Sequence, residues 1–139
     1  MAASGGSSLA TPSRSSRAVW RYLKAIDEGQ IDPRGRVITL SETPAIAVLD
    51  GSRTVGHVAA TKAMELAMAK ARAVGTGTVA VRNSQHFGAA SVYTLMATQA
   101  GLIGYATTST GRATVAAYGS VQPATANNAL AGLRRCRSE

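Results

Sequence analysis

A chain of 139 residues, 45% of them apolar and 16% charged, can build one core, since a domain of about 150 residues hides roughly 70% of its unfolded surface. No apolar run approaches the roughly 18 residues needed to cross a bilayer, and the opening residues lack the apolar stretch of a secretory signal, so a cytoplasmic protein with no membrane partner is expected. The formal charge of +8 comes from 15 Lys and Arg against 7 Asp and Glu, but half of it lies in residues 1–17 and 134–139. With 4% aromatics the chain lacks stacking platforms for single strands, and no nucleic-acid partner is expected.

Residues 1–17, rich in Ala, Ser, Gly, Thr, Pro and Arg, have almost nothing to bury and are expected to be a disordered tail. Val19, Tyr22, Leu23 and Ile26 have helical spacing, and Gly29 follows as a residue suited to the left-handed position beyond a helix. Pro33 and Gly35 mark a turn. Val37 to Leu40 and Ala45 to Leu49 read as strands, the second stopped by Asp50-Gly51. The clearest segment runs from about Val55 to Val74, Ala-rich and strongly helix-forming, with Gly75 closing it. Thr78 to Val81 is a β-branched strand, Ala89 to Ala100 a second helix ended by Gly101, and Leu102 to Thr107 another strand. Helix, glycine, strand thus occurs twice, which predicts an α/β layered domain rather than a helical bundle. The relative direction of the strands is not readable at this level.

The break between strand and helix is Arg82-Asn83-Ser84-Gln85-His86-Phe87-Gly88. α/β proteins commonly place ligand sites at such a strand end. His86 is the residue in it whose ordinary pKa, about 6.5, suits proton transfer near neutrality, and Gly88 would permit a close approach. Ser84 and His86 do not make a nucleophilic pair, because no orienting carboxylate is visible. His57, near the start of the long helix, has no Asp, Glu or Cys at ligand spacing and reads as a helix-end histidine without a partner. Cys136 is the only cysteine, which excludes an internal disulfide or a cysteine zinc site, and no metal is expected. No G-x-G-x-x-G loop occurs, so a Rossmann unit is not supported.

Residues Asn83 to Ala89, the helix to Gly101 and Leu102-Ile103-Gly104 resemble the S-N-H-F-G-A segment of the type 2 malate/L-lactate dehydrogenase family. The resemblance extends through Glu42-Thr43-Pro44-Ala45, Asp50-Gly51 and Ala63-Met64-Glu65 to Pro123 and Asn127-Asn128, spanning about Trp20 to Ala131. It implies a non-Rossmann α/β fold, with helices layered on a mixed sheet forming part of a cofactor-binding domain. It also implies an oxidoreductase that passes a hydride between NAD or NADP and a small 2-hydroxy or 2-keto acid. His86 would accept the hydroxyl proton, Thr110 would contact the cofactor, and a homodimer would be the family's assembly.

The family carries a D-S-H-G motif and an arginine before its first tyrosine. Tyr22 lines up with that tyrosine, but the arginine position falls on Ala18 and the motif on Pro12-Ser13-Arg14-Ser15, so the family's carboxylate-binding groups are not expected there. The resemblance ends near residue 132, and residues 133–139 form an unmatched basic tail. The expectation is a family-like unit over residues 18–132 in a truncated or frameshifted chain. Its alternatives are a folded, inactive remnant or pairing module, and, further off, a basic nucleic-acid binder.

Overall fold

The computed structural model describes residues 14–109, 113, 115–125 and 128–134. Helix α1 (Arg14–Asp27) is followed by strands β1 (Ile38–Glu42) and β2 (Ile46–Asp50), helix α2 (Gly56–Val74), strand β3 (Thr78–Arg82), helix α3 (Ala90–Gln99) and strand β4 (Gly104–Thr107). The short strands β5 (Val115–Ala116), β6 (Pro123–Thr125) and β7 (Leu130–Leu133) complete the described elements. The α/β reading holds, and the sheet is mixed. β1 runs antiparallel to β2 with an irregularity between Thr39 and Ser41, whereas β2 runs parallel to β3, with Ile46 opposite Thr78 and Asp50 opposite Arg82. β4 pairs with β7 and β5 with β6, both antiparallel.

A parallel pair needs a crossover, since a tight turn cannot return the chain to the same end. α2 is that crossover, and it packs on β2 and β3. The face it buries is narrow and made of small residues, Gly56, Ala59 and Ala63, with Lys70 further along. Opposite it, Ala47 and Leu49 of β2 are buried on one side of the strand, as the two-residue period of a strand requires. The helix stops at Gly75, whose φ of +87° puts it in the left-handed region and whose N–H donates to the Ala71 carbonyl at 2.9 Å, a cap that glycine adopts without Cβ strain.

Lys70 is 7% exposed. Its ammonium donates to Glu42 Oε1 at 2.7 Å and to the Thr43 carbonyl at 2.6 Å. These bonds satisfy a charge that would be costly to bury alone and tie the second half of α2 to the β1–β2 turn. α3 buries Ala90, Tyr93, Thr94, Ala97 and Thr98. The hydroxyls of Thr94 and Thr98 donate back to the carbonyls of Ser91 and Leu95, so this face is packed although two of its residues are polar.

α1 turns a different stripe inward from the one its strongest hydrophobes suggest. Val19, Trp20 and Leu23 are exposed, while Tyr22, Ala25 and Ile26, at i, i+3 and i+4, are half-buried. Beyond the helix the N–H groups of Gln30 and Ile31 both donate to the Ala25 carbonyl, and Ile31 is buried at 4% exposure. Arg53 Nη1 donates to the Gly29 carbonyl at 3.0 Å, and the Asp32 N–H donates to the Arg53 carbonyl at 3.0 Å. The end of α1 is therefore stitched to the loop after β2, which brings Tyr22 toward the start of α2.

Candidate active site

The C-terminal ends of the parallel strands β2 and β3 are held together by Asp50. Its Oδ1 accepts from the Ser52 N–H at 2.7 Å and from Asn83 Nδ2 at 3.0 Å, and its Oδ2 accepts from Arg82 Nε at 3.1 Å. Donation from the Ser52 backbone, then from Asn83, holds the Asp50 carboxyl below its usual range, because bonds to the ionised form favour it. Asn83 has a φ of +51°, a left-handed conformation that asparagine tolerates better than most residues. Its carbonyl accepts the Arg53 N–H at 2.9 Å. The loop that follows thus leaves the sheet from an anchored point.

That loop is pressed onto the first turn of α2. An ideal Cβ at Gly56 would lie 2.0 Å from the Gln85 carbonyl oxygen and 2.5 Å from that of His86, so a residue without a side chain is required. Gln85 Nε2 reaches back to the Gln30 carbonyl at 3.0 Å, which ties the loop to the end of α1. On the far side, the Tyr93 hydroxyl donates to the Phe87 carbonyl, and the two rings stack with centroids 5.2 Å apart and planes at 14°.

Held from three sides, His86 meets Tyr22. The Tyr22 hydroxyl and His86 Nδ1 are 2.7 Å apart. His57 is the third ring, its centroid 6.0 Å from that of Tyr22 and 6.2 Å from that of His86, and the Tyr22 and His86 centroids are also 6.2 Å apart. The contacts of His57 with both rings are edge-on. Burial, then the charges of His57 and Arg21, press the pKa of His86 below 6.5. Burial raises that of Tyr22, opposed by Arg21. Both ring partners stand far from His86 in the chain, at separations no local motif spans. His57 therefore does have partners, contrary to its reading as a solitary helix-end histidine. In the sequence Tyr22 is legible as one of the helically spaced residues of α1 and by its place in the family pattern, but not as a neighbour of His86. Thr110 lies outside the described residues.

Chemically, this is one imidazole whose Nδ1 is hydrogen-bonded to a phenol hydroxyl, an arrangement in which Nε2 can exchange a proton when Nδ1 carries the hydrogen. Among the described residues no group of three or more His, Cys, Asp and Glu is placed to hold a metal ion. No described helix is long and apolar enough to cross a membrane.

Comparison with known proteins places the chain in a family. The family model for malate/L-lactate dehydrogenase matches residues 13–132. The chain belongs to the malate/L-lactate dehydrogenase family. Over 111 residues it is 43% identical to malate dehydrogenase of Pyrococcus abyssi, a match covering 80% of this chain and 30% of the relative. Over the same length it is 40% identical to L-sulfolactate dehydrogenase of Methanocaldococcus jannaschii, covering 80% of this chain and 32% of that one. Among solved structures, malate dehydrogenase from Pyrococcus horikoshii superposes with a TM-score of 0.79 at 31% identity, over 88% of this chain and 35% of the other. The chain thus spans about a third of the length of these family members.

The N-terminus of α2, the natural place for a diphosphate in a βαβ unit, is covered by the carbonyls of Gln85 and His86. Carbonyl oxygens repel phosphate, so this helix start does not fit a dinucleotide cradle.

Proposed function

We propose that the chain carries the proton-transfer part of a site that interconverts a small 2-hydroxy acid and its 2-keto acid, with NAD or NADP as the implied hydride carrier. The observation that supports this reading is the Tyr22–His86 contact of 2.7 Å in a loop that three elements hold in place. Removing hydride from an alcohol carbon requires a base for the O–H proton. With Nδ1–H donating to the Tyr22 oxygen, Nε2 of His86 presents its lone pair to that proton. The phenol oxygen then continues to accept from Nδ1–H in the imidazolium that forms. In the reductive direction Nε2–H returns the proton to the carbonyl oxygen.

Lowering the pKa of His86 keeps it an uncharged base at neutral pH. Arg21, whose charge acts on both Tyr22 and His86, is our candidate for drawing the substrate carboxylate to this side. Thr110 is proposed as a cofactor contact on the family resemblance alone, and residues 18–132 as the family-like unit. The test is to incubate the chain with malate, lactate and sulfolactate and either cofactor, following reduced nicotinamide. Turnover of one of these acids is the expected result. No turnover at any enzyme concentration would overturn the reading.

A second reading is favoured by the apolar surface. Trp20 is 71% exposed, Ile103 81% and Tyr105 63%, a display suited to a folded module that pairs with another chain and performs no turnover itself. Its signature would be concentration-dependent association in sedimentation experiments together with absent catalysis.

A further inference from the structure

His57 is placed by α2 and has no part in the chemistry described above, yet it completes a triangle of rings with Tyr22 and His86. A Cβ on Gly88 would stand 2.6 Å from its Nε2, 3.3 Å from Cδ2 and 3.6 Å from Cε1. The imidazole thus lies tip-on over the backbone two residues beyond His86, a space left open because Gly88, at φ +78°, carries no side chain. The rings of His57 and His86 are edge-on at 72°, so His57 forms a wall beside the His86 ring.

We propose that His57 is a positioning residue for His86, backing the Tyr22–His86 pair from the α2 side and holding His86 as the uncharged ring anchored through Nδ1. The use of this device in turnover rests on the proposed role of His86. Two imidazoles this close repel when both are charged, and the His57 charge is the second-largest cause, after burial, of the depressed pKa of His86. The other groups around His86 are few. α1 supplies Arg21, whose effect on His86 ranks below that of His57, and Tyr22. α3 supplies Tyr93, whose hydroxyl is committed to the Phe87 carbonyl. At the strand ends Asp50 and Arg82 are paired with each other. His57 is therefore the ionisable ring that α2 packs against His86, edge-on with centroids 6.2 Å apart.

The experiment is an NMR titration of the His86 imidazole in the full chain, in wild type, His57→Gln, His57→Phe and Arg21→Gln. It requires no turnover, so failure of the enzymatic reading and failure of this proposal are distinguishable. Both His57 variants are expected to raise the His86 pKa, and by more than Arg21→Gln does. His57→Phe, which keeps a ring beside His86, is expected to preserve the wild-type His86 tautomer, whereas His57→Gln is expected to mix the two tautomers. An unchanged His86 titration in both folded His57 variants, or a larger shift from Arg21→Gln, would overturn the proposal. A fall in stability alone, with titration and tautomer as in wild type, would also overturn it, since that is what a purely structural residue would give.

Discussion

Replacing Gly56 by alanine tests whether the close approach of α2 to the His86 loop sets the site. The added Cβ would stand 2.0 Å from the Gln85 carbonyl oxygen and 2.5 Å from that of His86. Close carbon–oxygen contacts settle at about 3.3 Å, so the loop backbone must retreat by about 1 Å. Both obstacles are backbone atoms, and the loop is tethered through Gln30, Tyr22 and Tyr93, so the retreat displaces His86 itself. A misplacement of about 1 Å at a reacting group costs about a hundredfold in rate, and that loss in kcat/KM is expected for oxidation of whichever 2-hydroxy acid the chain accepts. Gly101→Ala is the comparison. Gly101 has a φ of +78° with open space around its Cβ position, so alanine there should cost about 1 kcal/mol of stability and leave kcat/KM within twofold. Far-UV circular dichroism and denaturant midpoints would establish that both variants fold. A folded Gly56→Ala chain with wild-type kcat/KM and an unchanged His86 NMR signal would refute the reasoning.

Tyr22→Phe removes the hydroxyl that anchors His86 Nδ1, and loss of one such bond, worth about 1 kcal/mol, should lower kcat roughly fivefold with a smaller change in KM, measured by steady-state kinetics. Glu42→Ala leaves the Lys70 ammonium with the Thr43 carbonyl as its remaining bonded partner in the structure. It should destabilise by about 1–3 kcal/mol in urea unfolding, whereas Lys70→Met, which removes the charge and keeps the bulk, should cost less. The pKa of His86 is lower in the folded chain than its ordinary 6.5, so the unfolded chain binds the proton more readily. The contribution of His86 to stability is therefore complete above pH 6.5 and is lost as the pH falls through the folded value. Melting curves recorded from neutral to mildly acid pH should fall less steeply in His86→Gln than in wild type, and parallel curves would contradict this.

The layered part of the fold was legible because its elements carry local signals. The Ala-rich run closed by Gly75 became α2 with its left-handed cap, and the apolar runs at Ala45 to Leu49 and Thr78 to Val81 became β2 and β3 within a residue or two at their ends. The parallel pairing of those strands was not legible, since a crossover through α2 leaves no mark in either strand. β5 and β6 escaped notice because they are two and three residues long, too short for the two-residue period to declare itself, and β7 because Leu-Ala-Gly-Leu carries no β-branched or aromatic residue. In the site, His86 stood out because its loop interrupts a strand and a helix with polar residues. His57 did not, because what gives it partners is the packing of α2 beneath the loop and the stitching of α1 to Arg53, both products of tertiary structure. Helical spacing alone does not say which side of α1 is covered: Val19 and Leu23 are among its more hydrophobic residues, yet Tyr22, Ala25 and Ile26 are the half-buried ones, on a helix whose end is tethered at Gly29 to Ile31.

Whether His86 handles the substrate proton, as proposed, is tested by comparing the chain with His86→Ala in nicotinamide-linked oxidation of malate, lactate and sulfolactate. Measurable turnover is expected in the wild-type chain and a loss of about a hundredfold or more in kcat in the variant, the scale of general-base catalysis, in a protein with an unchanged circular dichroism spectrum. Equal turnover by the two proteins would contradict the proposal.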